Sequence, residues 1–148
     1  MNQLGTEGHY TVTPEMKAKM ADFCGGFATE AEDAAAIREL YDETGYVIDT
    51  HTGVASAVYQ QYKKNTGDET KTVIASTASP YKFSRSVMKA ISDEKLPEDE
   101  FAVIDELCRV SGVEIPKAVE EIRNAQIRHK LECDVQDMKK TVAKILGI

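Results

Sequence analysis

The sequence predicts an α/β fold: a small parallel sheet with crossover helices, followed by a helical C-terminal segment. Two observations carry that prediction. Short β-branched or aromatic runs, Tyr46-Val47-Ile48 and Thr72-Val73-Ile74-Ala75, each give way to a polar loop and then to a helical pattern, so a strand, loop, helix unit occurs twice, at Tyr46 to Lys64 and at Thr72 to Ile91. Parallel pairing follows, because parallel strands need a crossover of about a dozen residues or more between them. Beyond Ile91 the apolar residues Phe101, Ile104, Leu107 and Cys108, then Val119, Ile122, Ala125 and Ile127, fall at helical spacing.

The elements follow in chain order. His9-Tyr10-Thr11-Val12 reads as a short strand, and Thr13-Pro14 as the cap and first residue of a helix through about Phe23, ended by Gly25-Gly26. Thr29-Glu30-Ala31-Glu32 is a capping box: the Thr29 hydroxyl suits the Glu32 N–H and the Glu32 carboxylate suits the Thr29 N–H. Its helix runs to about Thr44, where Gly45 closes it. The strand Tyr46 to Ile48 turns on Asp49, Thr50, His51 and Thr52 into a helix from about Gly53 to Lys64. Ser79 caps, and Pro80 starts, the helix after the second strand; Pro116 opens a later one and Asp134 caps the last. The chain is read as one domain over residues 1–148, with an α/β part at 1–95 and a helical part at 96–148.

Composition narrows the function classes. Of 148 residues, 42% are apolar and 29% charged, the balance of a protein that folds around one core. No apolar run is long enough for a bilayer, and the N-terminus has no basic region followed by an apolar one, which together predict a cytoplasmic protein without a membrane partner. A net charge of -7 argues against a nucleic-acid partner. Cys24, Cys108 and Cys133 are odd in number, share no C-x-x-C spacing and have no histidine at ligand spacing, so free thiols and no metal site are expected.

The two polar loops are the candidate site. In a parallel sheet both fall at the same edge, which puts Asp49, His51 and Thr52 near Ser76, Thr77 and Ser79. Each residue also has a structural reading: Asp49 and Thr52 as caps, His51 as a hydrogen-bonded loop organiser, Ser79 as the cap of a plain strand-to-helix turn. Tyr59 and Tyr62, three apart on one helix, read as packing residues. His51 with Ser76 lacks the G-x-S-x-G context of a hydrolase nucleophile.

Ile48-Asp49-Thr50-His51-Thr52-Gly53-Val54-Ala55 and Val73-Ile74-Ala75-Ser76-Thr77-Ala78-Ser79-Pro80-Tyr81-Lys82-Phe83 resemble two segments of the C-terminal part of threonine synthase, in the same order and at a similar separation. The likeness extends to Cys24-Gly25-Gly26-Phe27-Ala28, to Pro116-Lys117-Ala118 and to the Lys-Ile-Leu-Gly-Ile ending. It implies a pyridoxal phosphate enzyme of fold type II, a lyase of threonine biosynthesis that converts O-phospho-L-homoserine and water to L-threonine and phosphate. It also implies that Thr77 meets the pyridine nitrogen of the cofactor, that Ser76 flanks the ring and that Lys82 lies near the rim. A hydroxyl, unlike a carboxylate, does not hold that nitrogen fully protonated, which makes the ring a milder electron sink.

The motif departs from its relatives at Ser79, often histidine there, and at Tyr81, where a small residue is frequent. The family's Schiff-base lysine, the Asn beside it and its glycine-rich phosphate loop have no match in this sequence. The resemblance therefore implies a C-terminal fragment, inactive by itself, whose partner is the N-terminal part of the same enzyme. Lys82 and Lys71 could form an adventitious imine but are poor substitutes for that lysine. Self-association of the fragment is expected through an uncovered sheet edge and apolar face. The alternatives are a stand-alone module that binds a phosphorylated metabolite through the two loops, and a helical interaction module without catalysis.

Overall fold

The computed structural model describes residues 2–148 and contains helices joined by irregular segments, with no strand among the described residues. This overturns the predicted α/β class. His9–Val12, Val47–Ile48 and Val73–Ile74 have the residue types of strands, but no ladder of backbone hydrogen bonds joins any of them to a neighbour. β-Branched residues favour an extended backbone, whereas a strand also requires a partner, and local sequence carries no information about the partner. The two middle segments differ in fate. Val47 and Ile48 are buried, while Val73 is 90% exposed.

The helices in the first of two compact units, which runs to Val113, are α1 Asn2–Glu7, α2 Pro14–Lys19, α3 Glu30–Thr44, α4 Thr50–Thr66, α5 Ser84–Ile91 and α6 Glu100–Ser111. α5 is preceded by a 3-10 turn at Pro80–Phe83. Local chemistry explains the boundaries. The Thr29 N–H donates to Glu32 Oε2 at 2.7 Å and the Glu32 N–H to Thr29 Oγ1 at 3.3 Å, closing the capping box at the start of α3. α3 and α4 end on Gly45 and Gly67, whose φ values of 73° and 67° lie in the left-handed region that side chains disfavour. α4 begins at Thr50, three residues before the sequence reading, because Asp49 caps it; Thr52 stands inside its first turn.

α3 packs on α4 and on α5, and α5 packs on α6. The core between them holds Ile37, Ala57, Val87, Met88, Val103 and Leu107, joined by Val47, Ile48 and Tyr81 from the connecting segments. Arg85 ties α5 to the turn before α6: its Nε donates to Glu100 Oε1 at 2.6 Å and its two terminal nitrogens to the carbonyls of Pro97 and Glu98 at 2.8 and 2.9 Å. A charge-assisted grip on two carbonyls fixes a turn that has no helix of its own.

The second unit, Glu114–Ile148, contains α7 Lys117–Arg123, a 3-10 turn at Val135–Asp137 and α8 Met138–Leu146. None of its residues is buried. On α8, Met138, Val142 and Ile145 form an exposed apolar stripe at helical spacing. No helix of the described residues is long and apolar enough to cross a membrane.

Candidate functional site

The site is built on the start of α4. Asp49 is 1% exposed and accepts from the backbone N–H groups of His51 at 2.8 Å and Thr52 at 3.4 Å. Its second oxygen lies 2.5 Å from the Thr52 hydroxyl, which lies 3.0 Å from Ser76 Oγ. A hydroxyl has one proton, so Thr52 donates to the carboxylate and accepts from Ser76. Burial by itself pushes the Asp49 carboxyl up, but the Thr52 hydroxyl, the His51 and Thr52 N–H groups and the His51 ring outweigh it and hold the carboxyl below its ordinary value. Asp49 and Thr52 of the first loop reach Ser76 of the second through side-chain hydrogen bonds, buried between Asp49 and Thr52 and part-buried at Ser76, and not across a sheet edge.

The other candidate residues are placed differently. The exposed Thr77 side chain makes no hydrogen bond within the described residues, although its neighbour Ser76 is anchored. Ser79 caps the 3-10 turn, accepting from the Tyr81 N–H at 3.3 Å. His51 faces away from Ser76: its ring stacks on Phe83 at 5.6 Å between centroids, and its Nδ1 lies 3.4 Å from Asp49 Oδ1. The Lys82 ammonium lies 5.4 Å from the centre of the Phe83 ring, a cation–π contact. Asp49, Thr52 and Ser76 thus form one group, and His51, Phe83 and Lys82 another.

The first turn of α4 separates two cavities. Thr52, Ser56 and Ser76 line one of about 560 Å³, with Tyr59 and Lys63 further along it. Thr50, His51 and Val54 line another of about 590 Å³. Thr52 and Val54 are two apart on α4 and so point to opposite faces, which is how one helix serves both spaces. Among the described residues no group of three or more His, Cys, Asp or Glu is disposed to hold a metal ion.

Sequence reasoning missed Asp33. From the first turn of α3 its Oδ1 reaches the backbone of Gly53, is buried and has no hydrogen-bond partner. Burial and the nearby Asp49 charge raise its pKa, against a smaller opposing pull from His51. The available signal was the glycine: a Gly in the first turn of a helix, where alanine is a better helix former, marks a close neighbour.

Residues 52–142 match the family model described as threonine synthase, C-terminal. Threonine synthase of Schizosaccharomyces pombe is 31% identical over 137 residues, covering 82% of this chain and 27% of that protein. Threonine synthase-like 1 of Homo sapiens and that of Macaca fascicularis are each 31% identical over 98 residues, covering 66% of this chain and 13% of theirs. The chain therefore spans 13% to 27% of the length of these relatives. No solved structure matches it.

Proposed function

We propose that this chain, which belongs to the threonine synthase C-terminal family, forms the C-terminal part of a pyridoxal phosphate-dependent carbon–oxygen lyase acting on phosphates. The reaction of the assembled enzyme is conversion of O-phospho-L-homoserine and water to L-threonine and phosphate. The observation that carries this reading is the Asp49–Thr52–Ser76 chain, which fixes the loop and leaves the Thr77 hydroxyl free beside it.

The residues present fit one end of the cofactor. A free hydroxyl on an anchored loop is the right donor and acceptor for a pyridine nitrogen, and Ser76, held by Thr52, suits the flank of the ring. When bound, pyridoxal phosphate supplies the electron sink that lets protons leave the substrate carbons. Lys82 is held over Phe83, and no lysine of this chain stands in the family's Schiff-base context. The lysine and the phosphate loop come from the N-terminal part of the enzyme, which is the chain's partner, and the chain alone is inactive. Its three free thiols suit a reducing compartment, the cytoplasm.

The test is phosphate release from O-phosphohomoserine with added pyridoxal phosphate, using the purified chain alone and together with a lysine-bearing N-terminal part. Activity only in the pair is expected. Release by the chain alone at an enzyme-like rate overturns the reading, and so does a pair that stays inactive while binding one another.

A further inference from the structure

The segment that carries Thr77 is tied at both ends, and both ties lead to one carboxylate. At the near end Ser76 Oγ lies 3.0 Å from the Thr52 hydroxyl, which lies 2.5 Å from Asp49 Oδ2. At the far end the Phe83 ring stacks on His51, with centroids 5.6 Å apart and planes 21° from parallel, and His51 Nδ1 lies 3.4 Å from Asp49 Oδ1. Thr52 and His51 stand in the first turn of α4, so the chain over residues 76–83 starts against that turn and comes back to it.

Core packing does not account for the second tie. Tyr81 fills that role for the 3-10 turn: it is buried, and its hydroxyl donates to the Val113 carbonyl. Phe83 is 42% exposed and the His51 side chain 53%, so their near-parallel stack draws on the contact between the rings more than on removal from water. The Lys82 ammonium, 5.4 Å from the centre of the same ring, adds to it. Asp49 orients the imidazole in turn. An Nδ1 without its proton would turn a lone pair toward the carboxylate, so the proton belongs on Nδ1.

We infer that His51, protonated on Nδ1, is a positioning residue for residues 76–83: it joins Phe83 to Asp49 as Thr52 joins Ser76, so that one buried carboxylate holds both ends of the chain that presents Thr77. A segment tied at both ends has fewer conformations open to it than one tied at a single end, which fixes the direction of the Thr77 hydroxyl as well as its place. The consequence for the cofactor rests on the reading of Thr77 as the partner of the pyridine nitrogen; the clamp itself does not.

The test begins with the chain alone. Heteronuclear NMR of the His51 ring is expected to find the proton on Nδ1, and a ring protonated on Nε2 alone overturns the inference. Amide exchange over residues 77–82 is expected to quicken by ~3- to 10-fold in His51→Leu and in Phe83→Leu, the worth of one aromatic pair, and by no more in the double variant, because both changes remove the same contact. The helix cap survives the His51 change, since Asp49 accepts from the backbone N–H of that residue. Unchanged exchange in a folded His51→Leu chain, or a double variant in which the two effects add, overturns the clamp. The second arm titrates pyridoxal phosphate into the chain paired with a lysine-bearing N-terminal part, followed by the absorbance of the cofactor. His51→Leu is expected to weaken that binding by ~3- to 10-fold. Unchanged affinity in the variant pair overturns the positioning role. A pair that binds no cofactor with the original chain overturns the reading of Thr77 instead, and exchange then decides the clamp.

Discussion

Asp33 Oδ1 stands 2.1 Å from the point that a Cβ on Gly53 would occupy, and Ile37 Cγ1 stands 2.8 Å from the same point. Helix propensity alone favours alanine at residue 53 by about 1 kcal/mol. The contact with Ile37, a core residue, opposes it, at a cost of about 1–3 kcal/mol for overpacking. Gly53→Ala is therefore expected to lower the urea midpoint, and Asp33→Ala in the same chain to restore part of the loss. A higher midpoint for Gly53→Ala alone contradicts this.

Asp33 and Asp49 are expected to act on stability with opposite pH signs. The Asp49 carboxyl lies below its unfolded value of about 3.9, so it contributes stability above that pH and the contribution fades as pH falls through the native value. The Asp33 carboxyl lies above the same reference, so its ionised form is a penalty, absent below about pH 3.9 and complete above the native value. Relative to the unmodified chain, Asp49→Asn should lose more stability at pH 7 than at pH 3, and Asp33→Asn should fare better at pH 7 than at pH 3. Urea unfolding at the two pH values checks both, and equal differences at both pH values refute the assignment.

Thr77→Val should leave the melt of the chain within about 0.5 kcal/mol of the original, because the side chain is exposed and makes no internal bond. In the assembled enzyme the same change should lower kcat by ~10- to 100-fold, the worth of one buried hydrogen bond to a ligand, and Thr77→Ser should restore most of it. Unaltered turnover in Thr77→Val removes the residue from the cofactor site.

The Tyr81 hydroxyl donates to the Val113 carbonyl, and burial together with the Cys108 thiol pushes its pKa up to about 12. A native value above the unfolded one of about 10 means that the contribution is complete below pH 10 and declines as pH rises toward 12. Tyr81→Phe should cost about 1–2 kcal/mol at pH 7 and flatten the alkaline loss of stability. A variant with the same alkaline slope as the original shows that another group titrates there.

Several helix starts were legible because caps are local, although Asp134, read as the cap of the last helix, makes no side-chain cap bond and α8 starts only at Met138. The Thr29–Glu32 box, the Asp49 and Ser79 caps and the Gly45 stop each need only residues within a few positions, all visible in the sequence. The strands were misread for the reverse reason: Val47-Ile48 and Val73-Ile74 look alike in sequence, yet one pair packs into a core of helices and Val73 stands in solvent. The nearness of Asp49 to Ser76 was expected through a sheet that the described residues do not form, and arises from side-chain hydrogen bonds instead. Asp33 was invisible because its partner, Gly53, is defined only by how α3 crosses α4.

The tether at Ser76 also has an entropic side. Between Gly67 and Ser79 the chain has no regular structure, and ordering such a stretch costs about 1–2 kcal/mol for each residue frozen. Thr77 is one Cα–Cα step, about 3.8 Å, beyond a residue already bonded to Thr52. A ligand that engages the Thr77 hydroxyl therefore meets most of the approach to it already ordered, and has chiefly one residue's torsions left to fix.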